Sequence, residues 1–165
     1  MIIAIDPGTT ESAVVCMHSM QITDRCILPN EAVLRLLKMR VTVGDTVVIE
    51  DIQCYGMPVG KETFRTAQWS GAFAHEAQRM HGRVYLIGRR WVKRYLCNNM
   101  HAKDANVRQA ILDMYPATGG GATPQIGTKK QPGALYGIKS HLWSALAVGL
   151  AAQNEEAMKK AEEWK

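Results

Sequence analysis

The chain has 165 residues, 47% of them hydrophobic and 21% charged, with a net charge of +5. That is one domain, residues 1–165, apolar enough to build a core and too evenly mixed to be disordered. No apolar run is long enough to cross a bilayer, so no membrane-spanning helix is expected. Four cysteines, Cys16, Cys26, Cys54 and Cys97, form no C-x-x-C pair, which argues against a zinc site. A strand begins at once and no signal peptide is expected ahead of it, so a reducing cytoplasm is the expected compartment, bacterial or of a phage-infected cell. Charge is unevenly spread. Between Arg83 and Lys130 nine Lys or Arg stand against two Asp, +7 for that block, and the remainder is −2. A basic block beside an acidic remainder suits a protein that holds a polyanion over carboxylates.

The first element is Ile2-Ile3-Ala4-Ile5-Asp6, stopped by Pro7-Gly8. An unbroken apolar run reads as a strand buried on both faces. It ends on a carboxylate where the backbone opens to solvent, either a cap for the turn or a ligand for a hard cation. Ser12–Met17 and Gln21–Leu28 read as two further strands, and short links make the three an antiparallel meander. Asn30 reads as the N-cap of a helix through about Met39, with Val33, Leu34, Leu37 and Met39 inward. Gly44-Asp45 then turns the chain into Thr46-Val47-Val48-Ile49-Glu50, again an apolar strand ending on a carboxylate. If this strand pairs in parallel with the first, Glu50 comes to lie beside Asp6 and the two can share a divalent ion.

A loop over residues 53–61, which carries Tyr55, precedes a helix from Glu62 to about Met80. On that helix Phe64, Ala67, Gly71 and Ala74 trace one stripe, read as internal packing or as a dimer face. Arg83–Ile87 is a fifth strand. Gly88-Arg89-Arg90-Trp91-Val92-Lys93-Arg94-Tyr95 interleaves cations with aromatics. The cations suit phosphates, and the rings suit packing or base stacking. Lys103-Asp104 opens a helix through about Met114 with Val107, Ile111 and Leu112 inward. Residues 117–137 form a long Gly/Thr/Pro-rich loop holding Lys129 and Lys130, of a length usually functional or disordered. The last helix runs from about Ser140 to the end. Its first half is buried on the sheet, its charged second half from Asn154 projects, and His141 and Ser144 share a face in its first turn. The sum is an α/β fold: five strands in a mixed sheet, three antiparallel and then two parallel, flanked by helices.

In order and spacing these segments resemble the RuvC-type Holliday junction resolvases, most closely the phage-encoded members. The resemblance covers nearly the whole chain. It rests on Ile3-Ala4-Ile5-Asp6-Pro7-Gly8, on Val48-Ile49-Glu50, on Trp91-Val92-Lys93 with Lys103, and on His141-x-x-Ser144-Ala145-Leu146-Ala147. It implies a ribonuclease H-like fold, a homodimer and two Mg²⁺ per site, with Mn²⁺ able to substitute. The implied catalytic and metal-binding residues are Asp6, Glu50 and His141, with Lys103 and Lys93 near the scissile phosphate. Where the family has an Asp as its fourth ligand this chain has Ser144, a poor partner for Mg²⁺. Asp104 is the candidate substitute; the bland alternative is a carboxylate favoured at a helix N-terminus. The implied activity is structure-selective cleavage of four-way or related branched DNA by paired symmetric nicks that leave 5′-phosphates. Arg89, Arg90, Lys93, Arg94, Lys103, Lys129 and Lys130 are the expected DNA contacts, with Tyr55 a candidate wedge at the junction.

Three other readings compete. Asp6-Pro7-Gly8-Thr9-Thr10 is also similar to the first phosphate loop of the actin, Hsp70 and sugar-kinase ATPases. Those need two such domains and a second loop, so length argues against a nucleotide cofactor. A ribonuclease H-like nuclease acting on another nucleic acid, and a catalytically weak or silent binder of branched DNA, both stay open. Ser144 is the residue that favours the silent binder.

Overall fold

In a computed structural model that describes residues 1–54, 56 and 58–163, the five expected strands are present and a sixth joins them. They are β1 (Ile2–Asp6), β2 (Glu11–His18), β3 (Gln21–Pro29), β4 (Thr46–Asp51), β5 (Arg83–Gly88) and β6 (Glu162–Glu163). The sheet order is β3-β2-β1-β4-β5-β6. β1, β2 and β3 form the antiparallel meander, while β4 and β5 run parallel to β1. β6 pairs antiparallel with β5, which corrects the expected count. Two consecutive glutamates carry no strand signal; the open edge of β5 supplies it.

Strand pleat sorts the core into two layers. Ile3, Ile5, Val47, Ile49 and Val84 face helices α1 (Asn30–Arg40) and α2 (Lys61–Arg79), around buried Val33, Leu37, Phe73 and Ala77. Ala4, Val48 and Ile87 face the opposite layer, built by α3 (Arg89–Cys97), α4 (Asp104–Met114) and α5 (Leu142–Ala151). The same alternation carries Asp6, next after Ile5, and Glu50, next after Ile49, to the α3–α5 side. α5 lies hard against β1 and β2. A Cβ added at Gly149 falls 2.6 Å from Met17 Sδ and 3.0 Å from Ala4 Cβ. The close approach is toward the C-terminal end of α5, and its N-terminal end lies at the exit of β1, where His141 meets Asp6.

Several expectations change at this level. Met39 is 83% exposed, because α1 turns its Val33–Leu37 face inward. Asn30 is the first residue of α1 rather than its N-cap, and it is buried. On α2 the buried stripe is Thr66, Ser70, Phe73, Ala74 and Ala77. Phe64 and Ala67 look outward, Phe64 at 60% exposure. The last helix is two. α5 stops at Ala151, and Asn154 accepts from the Glu156 and Ala157 amides to cap α6 (Glu155–Lys160), whose Ala157 is buried.

Residues 117–137 are neither helix nor strand, yet they are ordered by their own backbone. Gly119 N–H donates to Pro124 O (2.8 Å), Gly127 N–H to Thr123 O (2.9 Å), Gly133 N–H to Ile126 O (3.0 Å) and Leu135 N–H to Gln125 O (2.8 Å). A Cβ on Gly133 collides with the Gln125 carbonyl, and one on Gly119 with Gly127 Cα. Backbone packs on backbone here, which only glycine allows. Leu135 anchors the assembly in the core, and Lys129 and Lys130 stand exposed at its tip.

Candidate active site

Asp6 and Glu50 leave adjacent parallel strands at one level, since Ile5 pairs with Ile49. His141, at the N-cap position of α5, sets its Nδ1 3.2 Å from Asp6 Oδ2. The turn after Asp6 is locked from below. Ser12 Oγ donates to Asn30 Oδ1 at 2.6 Å, Asn30 Nδ2 donates to Gly8 O at 3.0 Å, and Gly8 N–H donates to Ser12 Oγ at 3.1 Å. A side chain at Gly8 runs into the Glu11 carbonyl, so glycine is required by close approach. This network is not legible from sequence, because an Asn at a helix start reads as a cap.

Arg89 is the second surprise. Expected among cations that face DNA, it turns into the site. Its Nη2 lies 2.7 Å from Asp104 Oδ1, and its Nη1 lies 3.4 Å from Glu50 Oε2 and 3.2 Å from Ser144 Oγ. Lys93 Nζ lies 3.3 Å from the same Asp104 oxygen. Position explains the turn: β5 runs parallel to β4, Gly88 pairs with Asp51, and Arg89 begins α3 immediately beyond. Arg90 and Arg94 stay exposed on α3. Trp91 and Tyr95 stack on one another with centroids 6.3 Å apart and pack against the core. Lys103 is exposed ahead of α4, where its N–H donates to Asn106 Oδ1 at 3.0 Å. Tyr55 lies outside the described residues.

Electrostatics separate the two strand-end carboxylates from Asp104. Burial pushes Glu50 up to about 7; Arg89 opposes the rise, and Asp6 and Asp104 add to it. Burial also raises Asp6, with His141 and Arg89 opposing. Asp104 is lowered, chiefly by its hydrogen bond to Arg89. Two buried carboxylates raised together favour a cation between them. The carboxylates of Asp6 and Glu50 suit a hard divalent ion in their chemistry, and His141 adds a softer nitrogen donor. Among the described residues no three acidic, His or Cys side chains converge closely enough to grip an ion as they stand. Arg89 engages Glu50 and Asp104 instead.

Two clefts open on either side. One of about 300 Å³ is lined by Asp6, Gly8, Thr9, Thr10 and His141. The other, of about 340 Å³, is lined by Arg89, Asp104, Arg108, Trp143 and Ser144. In the second, the Arg108 guanidinium lies over the Trp143 ring, 4.8 Å from its centroid.

No protein-family model and no curated protein sequence matches the chain. Solved structures do. Thermus thermophilus RuvC superposes with a TM-score of 0.66 at 20% identity, over 99% of each chain. T. thermophilus RuvC in complex with Holliday junction substrate gives 0.64 at 20% identity, over 99% of this chain and 98% of that one. The chain has the RuvC fold. Within this ribonuclease H-like fold the sequence of strands, the parallel pairing of β1 with β4, and the closing helix on the sheet are as expected, with β6 added.

Proposed function

We propose that this protein is a divalent-cation-dependent endonuclease that resolves four-way and related branched DNA. One observation carries the reading: Asp6 and Glu50 end neighbouring parallel strands with His141 3.2 Å from Asp6, in a chain that shares the RuvC fold along its whole length. Asp6, Glu50 and His141 would hold the cation, Mg²⁺ or Mn²⁺. When bound, such an ion supplies the positive charge that favours attack of water on phosphorus and steadies the leaving oxygen. The chain's own residues do the rest. The Ser12–Asn30–Gly8 network holds the turn that follows Asp6. Lys93, 3.3 Å from Asp104, and the exposed Lys103 offset phosphate charge. Arg90, Arg94, Lys129 and Lys130 offer exposed cations to flanking phosphates. Expulsion of the 3′ oxygen leaves a 5′-phosphate. The exposed Phe64 and Ala67 on α2 support pairing of two copies, which would nick opposing strands symmetrically. Four free thiols suit a reducing cytoplasm.

A second reading rests on Ser144, a neutral hydroxyl where the resemblance expects a carboxylate: a binder of branched DNA that does not cut. One assay separates the two. A synthetic four-way junction and a linear duplex of the same sequence are incubated with protein and Mg²⁺, beside Asp6→Asn. Paired symmetric nicks in the junction alone, absent in the variant, are expected. Tight junction binding without cutting in Mg²⁺ or Mn²⁺ selects the silent binder, and neither binding nor cutting overturns both.

A further inference from the structure

Building on the nuclease reading, we propose that Arg89 occupies the place of a second cation, so that each site takes one divalent ion and one guanidinium. The site has two unlike halves. On one side stand two carboxylates and an imidazole, Asp6, Glu50 and His141. On the other, a single carboxylate, Asp104, already has two cations, Arg89 at 2.7 Å and Lys93 at 3.3 Å. The hydroxyl of Ser144 accepts from Arg89 at 3.2 Å. A second divalent ion there would have to displace Arg89 and would then find Asp104 already paired with Lys93, a neutral hydroxyl, and Glu50, which the first ion also needs. That half does not fit an ion; it fits the guanidinium it holds.

Arg89 is suited to the part. It stays charged at any working pH, and its planar fork matches phosphate oxygens. Its contacts to Glu50, Ser144 and Asp104 use three of its roughly five N–H groups. The cleft of about 340 Å³ that it lines gives a phosphate room to reach the others. A guanidinium anchored on three partners is positioned before substrate arrives, which is what makes a fixed charge effective in a transition state. The Ser144 departure and the inward turn of Arg89 then have one explanation: a carboxylate is missing where a metal is not needed.

The test counts ions. Protein is titrated with Mn²⁺, and free Mn²⁺ is followed by its electron paramagnetic resonance signal, for wild type and for Arg89→Gln/Ser144→Asp. One ion per protomer is expected for wild type and two for the double variant. Two ions or none in wild type, or one in both proteins, overturns the proposal. Two activity measurements add to it. Junction cutting below saturation rises with the first power of Mg²⁺, a second-power rise being fatal to the idea. Arg89→Gln keeps its single Mn²⁺ but cuts roughly 10²–10³-fold more slowly, with Arg89→Lys restoring part; undiminished cutting by Arg89→Gln overturns it. Because the count needs no cutting, a protein that binds one ion yet cuts nothing defeats the nuclease reading alone.

Discussion

Asp6 and Glu50 are written in the same way, each at the end of an apolar strand, yet the structure treats them differently. Asp6 sits on a turn pinned by Asn30 and meets a largely exposed imidazole, with the His141 side chain at 71% accessibility. Glu50 is 8% exposed and meets a guanidinium. A strand end decides where a carboxylate is; burial and, against it, the partner packed over it decide what charge it carries. Asp6 is held by geometry, Glu50 by electrostatics, and each should fail in its own way.

The largest effect leaves the two alike. On the nuclease reading proposed above, Asp6→Asn and Glu50→Gln should each lower junction cutting by about 10³-fold, measured under single-turnover conditions, because each removes a charge the proposed cation would need. A variant that keeps activity would show that its carboxylate lies outside the site.

Stability then parts them. A carboxylate raised by burial is most comfortable when protonated. Its contribution is therefore complete below the ordinary value and is lost as pH rises through the folded one. For Glu50 that window runs from 4.5 to about 7. Metal-free protein should lose about 3 kcal/mol of stability between pH 5 and pH 8, followed by urea denaturation. Glu50→Gln should flatten most of that fall, and added Mg²⁺ should reduce it at pH 8. A flat wild-type profile would mean that Arg89 fully neutralises Glu50.

On the Asp6 side the geometry is the target. Asn30→Ala strands the Gly8 carbonyl and the Ser12 hydroxyl and should cost about 2 kcal/mol. This loss should be the same at pH 5 and pH 8, unlike that tied to Glu50. Smallest is the effect of the remote cations. Lys129→Ala/Lys130→Ala should weaken junction binding several-fold and reduce the slope of log affinity against log salt by about 2, with the cutting rate of bound junction unchanged.

Much of this was legible in the sequence, for physical reasons that can be named. Apolar runs stopped by Pro7-Gly8 or ended at Glu50 identify buried parallel strands, and pleat then carries both carboxylates to one face. The small residues of α5 announce a helix pressed on the sheet. What stayed hidden depends on partners far away in the chain. Arg89 reads like Arg90 until β5 is set beside β4. Asn30 reads as a cap until the turn at Gly8 folds back on it. Glu162-Glu163 is a strand only because β5 has a free edge, and Met39 looks like core until the orientation of α1 is known.

The glycine-packed loop carries a consequence for dynamics. Its amides at Gly119 and Gly133 are tied to carbonyls elsewhere in the loop, and that of Gly127 to the turn carbonyl of Thr123, although no regular element is present. Such amides should exchange with solvent deuterium more slowly than those of an unbonded surface loop, which hydrogen–deuterium exchange would check. If Lys129 and Lys130 bind phosphate as proposed, a loop held in this way would lose little backbone entropy in doing so.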